Sequence, residues 1–179
     1  MLIDGFHHVA TLTKDSERLH SFYREVFDAQ VVGNHPESEG AQLSIIQLSP
    51  MVELNVFQIE GNTQADHQVP MFGRGRIDHI GLRAPTIEAF EEVRRRLMDR
   101  GAANDFVTDF GPVLSVFFTD PDGLEGEVLV ANPDVVEGVH NKPGARSARY
   151  PVTPEAQPVQ LAAGSGRGLV AVAVAVAEK

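Results

Sequence analysis

FHHVATLTKDSERLHSFYREVF (residues 6–27) and IDHIGLRAPTIEAFEEVRRRLM (residues 77–98) decide the fold, because one overlies the other when the chain is slid on itself by 71 positions. An internal repeat takes precedence over any local reading, since it sets the architecture. His8 meets His79 and Val9 meets Ile80, while Leu19, Phe22 and Val26 meet Phe90, Val93 and Leu97. Few residues are identical, but a strand followed by an amphipathic helix recurs.

In the second copy Arg76 to Ala84 alternates as a strand does and Pro85 closes it. Thr86 stands where a helix N-cap is expected, and Gly101 supplies the stop after about Arg100. Phe90, Val93 and Leu97 make one apolar stripe, with Glu88, Glu91 and Glu92 leading and arginines following, as the helix dipole favours. The spacing predicts i,i+4 pairs between Glu91 and Arg95 and between Glu92 and Arg96. In the first copy Asp15 or Ser16 caps a helix to about Phe27, with Leu19, Phe22 and Val26 facing inward.

Strand-like runs follow each helix: Ala29 to Gly33, Ala41 to Leu48 and Val52 to Ile59, then Ala103 to Thr108, Leu114 to Thr119 and Gly126 to Ala131. DPDG at Asp120 to Gly123 carries strong turn chemistry between the last two. Each half therefore reads β-α-β-β-β, an α+β class, with module one at about 3–60 and module two at about 75–131. These make one domain over 1–132. From 133 to 179 the chain turns to Pro, Gly, Ala and Val with little periodicity, read as an extended or disordered tail. Its terminal LVAVAVAVA either adds as an edge strand or stays loose.

The 179 residues suit one ordinary domain, and 42% hydrophobic with 22% charged residues is a globular balance. No apolar run approaches the roughly 20 residues that span a bilayer, so a soluble protein without a membrane role is expected. The N-terminus shows no basic region followed by an apolar one, and the chain has no cysteine, which suits the cytoplasm and excludes disulfides and thiolate metal sites. A formal net charge of -10, with Arg94, Arg95, Arg96 and Arg100 set among acids, argues against nucleic acid as a partner.

Seven histidines are scattered along the chain, and a lone histidine is more often a surface or core residue than a ligand. What raises His8 and His79 is their equivalence under the repeat, near the start of each module's first strand. Without thiols a histidine metal shell is completed by carboxylates. Glu53 and Glu127 are read as occupying repeat-equivalent strand positions, early in the last strand of each module and 45 and 48 residues past their histidines. Apolar neighbours make an unpaired charge costly there, and a metal would offset that cost. His8, Glu53, His79 and Glu127 are thus the candidate metal ligands. Glu125 shares a strand face with Glu127 and becomes the ligand if the preceding turn is one dipeptide shorter. His7 is expected on the opposite face from His8, in a packing or surface role. His67 lies in the loop between modules, as a solvated residue or a substrate contact. No GxSxG, P-loop, GxGxxG after a strand, or HExxH is present, so triad hydrolases, nucleotide binders and zincins lose their usual support.

At FHHVA with its SFYREVF helix, RIDHIGL with the second helix, and FFTDPDGLEGEVL, the chain resembles the vicinal oxygen chelate superfamily. That group includes glyoxalase I, extradiol dioxygenases, methylmalonyl-CoA epimerase, fosfomycin-resistance transferases and bleomycin-resistance proteins. The resemblance covers about residues 3–131. It implies a cupped eight-stranded mixed sheet with helices outside, holding one divalent ion (Ni, Zn, Co, Mn or Fe) that chelates two neighbouring oxygens of a small-molecule substrate. On that analogy Glu127, and Glu53 with it, serve as both ligands and catalytic bases. The implied activity is a metal-dependent lyase or isomerase of glyoxalase type in a homodimer. An extradiol-type Fe(II) dioxygenase and a non-catalytic binding protein of the bleomycin-resistance kind are the alternatives, since one fold hosts several chemistries.

Overall fold

The structure is a computed structural model that describes residue 2 and residues 5–66, 77–103 and 106–134, without the side chains of 37 and 38. His67, Arg76 and the tail from residue 135 on, with its LVAVAVAVA segment, lie outside the described residues. Two units of one topology emerge. The first has β1 (His8–Thr13), α1 (Ser16–Phe27), β2 (Gln30–Ser38), β3 (Ala41–Ser49) and β4 (Val52–Ile59). The second has β5 (Ile80–Arg83), α2 (Ile87–Asp99), β6 (Thr108–Asp109), β7 (Val113–Thr119) and β8 (Glu125–Ala131). Eight strands divide into two four-stranded mixed sheets, ordered β1-β4-β3-β2 and β5-β8-β7-β6. In each sheet the first strand runs parallel to the last, as the crossover through a helix requires. The α+β class with two βαβββ modules is therefore the observed fold.

Local chemistry explains the helix ends. Asp15 accepts from the backbone N–H of Arg18 at 3.0 Å, and Thr86 accepts from that of Ala89 at 3.1 Å. Asp28 closes α1 in the left-handed region at φ 54°, and Gly101 follows α2 at φ 65°. Leu19, Phe22 and Val26 are buried as the stripe demands, whereas of the second stripe Phe90 and Leu97 are buried and Val93 is half-buried. The Glu92–Arg96 pair forms at 2.8 Å, but Glu91 bonds Arg94, and Arg95 binds Glu92 and Asp99 instead of Glu91. Both i,i+3 and i,i+4 neighbours are within reach on a helix, so spacing alone leaves that choice open.

Strand lengths depart from the pattern at the sheet edges. β2 runs to Ser38, well past Gly33, with register shifts on either side of the Pro36 region. It is an edge strand, where a residue without a backbone N–H is tolerated. The run from Ala103 yields only Thr108–Asp109 as strand, of which residues 104 and 105 are not described. Asp109 accepts from the backbone N–H of Gly111, a local bond that competes with a ladder, and also from the side-chain amide of Asn132. At Gly126 an added Cβ would lie 2.3 Å from the Phe118 ring, so that aromatic packs against bare backbone.

The turn Asp120–Leu124 groups with the first unit. Tyr23 donates its hydroxyl to Asp120 at 3.2 Å, and Asp120 also accepts from the backbone N–H groups of Asp122 and Leu124. Burial pushes the Asp120 carboxyl up to about 6, with Asp122 adding to the rise against the restraining hydrogen bonds. Burial, then the Asp120 charge, holds the Tyr23 hydroxyl protonated well above its ordinary range. A carboxyl raised on folding binds its proton more tightly in the native state, so stability from Asp120 is full below about pH 4 and is lost as pH rises to about 6. The rise corresponds to about 3 kcal/mol. Asp120→Asn keeps the oxygen that accepts both backbone bonds and removes the charge. Denaturant titrations should therefore show the variant more stable than the parent at pH 7 and flatter between pH 4 and 6; equal slopes would disprove the assignment.

Candidate functional site

Alternation along the strands sorts each sheet into two faces. In the first unit His20 of α1 bonds Ser44 of β3 at 2.7 Å, which marks the helix side. Ser44 is in register with Val56, so Leu54 and Val56, both buried, lie on that side. The opposite face carries His8, Ala10 and Leu12 of β1 beside Glu53, Asn55 and Phe57 of β4, paired residue for residue. His8 is exposed and Glu53 half-buried. Their Cα positions are direct partners, and the backbone N–H of Glu53 donates to the carbonyl of His7 at 3.0 Å.

In the second unit the corresponding face holds a connected polar chain. His79 Nε2 lies 3.5 Å from Glu127 Oε2. Ser115 Oγ donates to the other carboxylate oxygen, Glu127 Oε1, at 2.6 Å. His79 Nδ1 lies 2.8 Å from Asp78 Oδ2, and as the carboxylate can only accept, the ring nitrogen donates. Glu127 is 8% exposed, a burial that a carboxylate tolerates only with partners. Gly81 is the register partner of Glu127, and an added Cβ there would come within 4.0 Å of Oε2 and 3.2 Å of Leu129. A side chain there would press on Leu129 and stand in ordinary contact with that oxygen, while Phe117 sets its ring edge-on to His79 at 6.1 Å.

The donor types and spacing in this unit suit a divalent ion. Two donors that share one ion at about 2.1 Å each stand roughly 3.0–3.4 Å apart, close to the 3.5 Å between Nε2 and Oε2. The other donor atom of each side chain is held from behind, His79 Nδ1 by Asp78 and Glu127 Oε1 by Ser115, the kind of bracing that orients metal ligands. Among the described residues no group of three or more His, Asp or Glu side chains gathers to hold a metal. The candidate ligands come in pairs, His8 with Glu53 in one unit and His79 with Glu127 in the other.

Two expectations require correction. Glu53 and Glu127 are not register equivalents: Glu53 faces His8, but Glu127 faces Gly81, which is two residues beyond His79. Continuing the ladder places Glu125 at the level of Glu53, and Asn55 at the level of Glu127. Because side chains repeat every second residue, the offset preserves the face while shifting the position along it. Nor does His7 turn away from His8. Their Nδ1 atoms are 3.0 Å apart, with the rings edge to face; His7 precedes the first residue of β1, so strict alternation does not bind it. Reading residue by residue also missed Asp78 and Ser115. The repeat could have flagged Asp78, which overlies His7, whereas nothing local marks Ser115.

The superfamily Glyoxalase/Bleomycin resistance protein/Dioxygenase matches residues 5–128. Among curated proteins none matches the sequence significantly. Among solved structures, the glyoxylase/bleomycin resistance protein/dioxygenase domain from Frankia sp. EAN1pec is similar at a TM-score of 0.64 and 16% identity, over 74% of this chain and 95% of that one. The trypanothione-dependent glyoxalase I of Leishmania major gives 0.55 and 19%, over 72% and 87%. A mutant of the fosfomycin resistance protein FosX from Listeria monocytogenes, complexed with Mn(II) and a dihydroxypropylphosphonic acid, gives 0.56 and 15%, over 74% and 97%. Identities this low speak to the fold, and that fold is the repeated βαβββ arrangement seen in both units. A family match spanning both modules, joined to this architecture, places the chain in the Glyoxalase/Bleomycin resistance protein/Dioxygenase superfamily, the vicinal oxygen chelate group.

Proposed function

We propose that the protein is a metal-dependent lyase or isomerase of glyoxalase type, acting on a small oxygenated substrate. His8, Glu53, His79 and Glu127 would hold one divalent ion. The observation that carries this reading is the pairing of His79 Nε2 with Glu127 Oε2 at 3.5 Å, each side chain braced from behind. When bound, the ion would supply Lewis acidity to two adjacent substrate oxygens. The chain's own groups do the rest. Gly81 places no side chain beside the carboxylate, Phe117 provides an apolar wall, and Ser115 holds Glu127 Oε1 so that Oε2 is presented as ligand and proton acceptor. Glu53 is the second candidate for moving a proton.

The register offset favours one competing reading. Module one has Asn55 where module two has Glu127, so a shell of His8, His79 and Glu127 alone would form the two-histidine, one-carboxylate triad suited to an Fe(II) dioxygenase. Elemental analysis of anaerobically purified protein, followed by reconstitution with Ni, Co, Zn, Mn and Fe(II), tests the proposal. About one ion per chain is expected, with isomerase-type turnover restored by several of these metals. A protein that retains no ion under any loading condition would be a binding module instead. A small-molecule substrate, a cytoplasmic location and a homodimer accompany the proposal; no described helix is long and apolar enough to cross a membrane.

A further inference from the structure

The repeat that aligns His8 with His79 also aligns His7 with Asp78, and in both modules the earlier residue of the pair touches the same atom of the later one. Asp78 Oδ2 lies 2.8 Å from His79 Nδ1, and His7 Nδ1 lies 3.0 Å from His8 Nδ1. We infer that Asp78 and His7 are positioning residues, each holding the Nδ1 of the following histidine so that its Nε2 is the metal-facing atom.

The inference rests on the metal-site reading above, but its core is a statement about the chain itself. An imidazole bonded through Nδ1–H is locked in one tautomer and one ring orientation, with its lone pair at Nε2. For His79 that atom is the one facing Glu127 at 3.5 Å. The two braces differ in kind. A carboxylate can only accept, so His79 must donate, and its negative charge makes the ring a stronger donor to a cation. An imidazole can play either part, so His7 fills this role by accepting from the Nδ1–H of His8, and unlike a carboxylate it has no negative charge to lend. The braces therefore differ between the modules, a carboxylate behind His79 in module two and an imidazole behind His8 in module one. Neither side chain needs to touch the ion: Asp78 is 23% exposed and engages the far side of the His79 ring.

Two measurements test this, one of them on metal-free protein. Long-range ¹H–¹⁵N spectra in alkaline buffer should show His79 carrying its proton at Nδ1 in the parent and in Asp78→Asn, whose amide oxygen still accepts. In Asp78→Ala the ring should move toward a mixture of tautomers. Mn(II) titration followed by EPR should then show affinity falling about 10–100-fold in Asp78→Ala, less in His7→Ala, and largely recovered in Asp78→Asn, with thermal melts close to the parent throughout. His7→Asp, which supplies the missing charge, should bind Mn(II) more tightly than the parent. A metal-free parent with His79 protonated at Nε2, or Asp78→Ala with the parent's tautomer and affinity, would overturn the inference. If the parent binds no Mn(II) while the tautomer follows Asp78, the brace stands and the metal reading fails.

Discussion

His79→Ala is expected to lose tightly bound metal altogether while keeping a cooperative melt. The core beneath the site does not depend on the histidine. Phe90 and Leu97 of α2 and Val116, Val128 and Val130 of β7 and β8 are buried with 3% exposure or less, and none of them uses the imidazole. Removing the ring deprives Glu127 of its neighbour at 3.5 Å but leaves the bond from Ser115. The cost to stability should stay near 1 kcal/mol, a shift of roughly 2–4 °C in a chain of this size. Metal affinity should fall by several orders of magnitude, because a neutral nitrogen donor is replaced by nothing and the remaining carboxylate holds the ion alone in that unit. Inductively coupled plasma analysis beside differential scanning calorimetry reads both. A variant that retains a full equivalent of metal would show the site to be elsewhere.

Glu53→Ala separates the two enzyme readings. If the shell contains both histidines and both glutamates, removing Glu53 opens a position to water and deletes a charge that balances the ion. Affinity should drop by at least tenfold and isomerase-type turnover by orders of magnitude, with Glu53→Gln retaining more metal because an oxygen donor remains. The backbone should be undisturbed, since the ladder bond to His7 uses the Glu53 N–H, which alanine keeps. If the working set is His8, His79 and Glu127 around Fe(II), the alanine variant should bind iron almost as well as the parent. Unchanged binding together with oxygen uptake on a catechol panel would retire the lyase reading in favour of the dioxygenase.

Much of this architecture was legible in the order of residues alone, and the reason is that it is local. Helix caps at Asp15 and Thr86, the stop at Gly101, the DPDG turn and the two apolar stripes depend on residues within a few positions of one another, and all appear where the pattern places them. The repeat of His8 at His79 and the family it points to belong to the same level. What the linear order left open depends on how strands pair. Register between β5 and β8 is set by packing between residues more than 40 positions apart, and it places Gly81, not His79, beside Glu127. Glu127 therefore lies two residues further along its strand than Glu53 does, and Asn55 is its counterpart. Ser115 reaches Glu127 only because β7 folds back on β8. The contacts of His7 with His8 and of Asp78 with His79 depend on side-chain rotamers at a strand entrance, where period-2 alternation has not yet taken hold. Residue order thus determined which groups could act, and the tertiary structure decided which atoms of those groups are held ready.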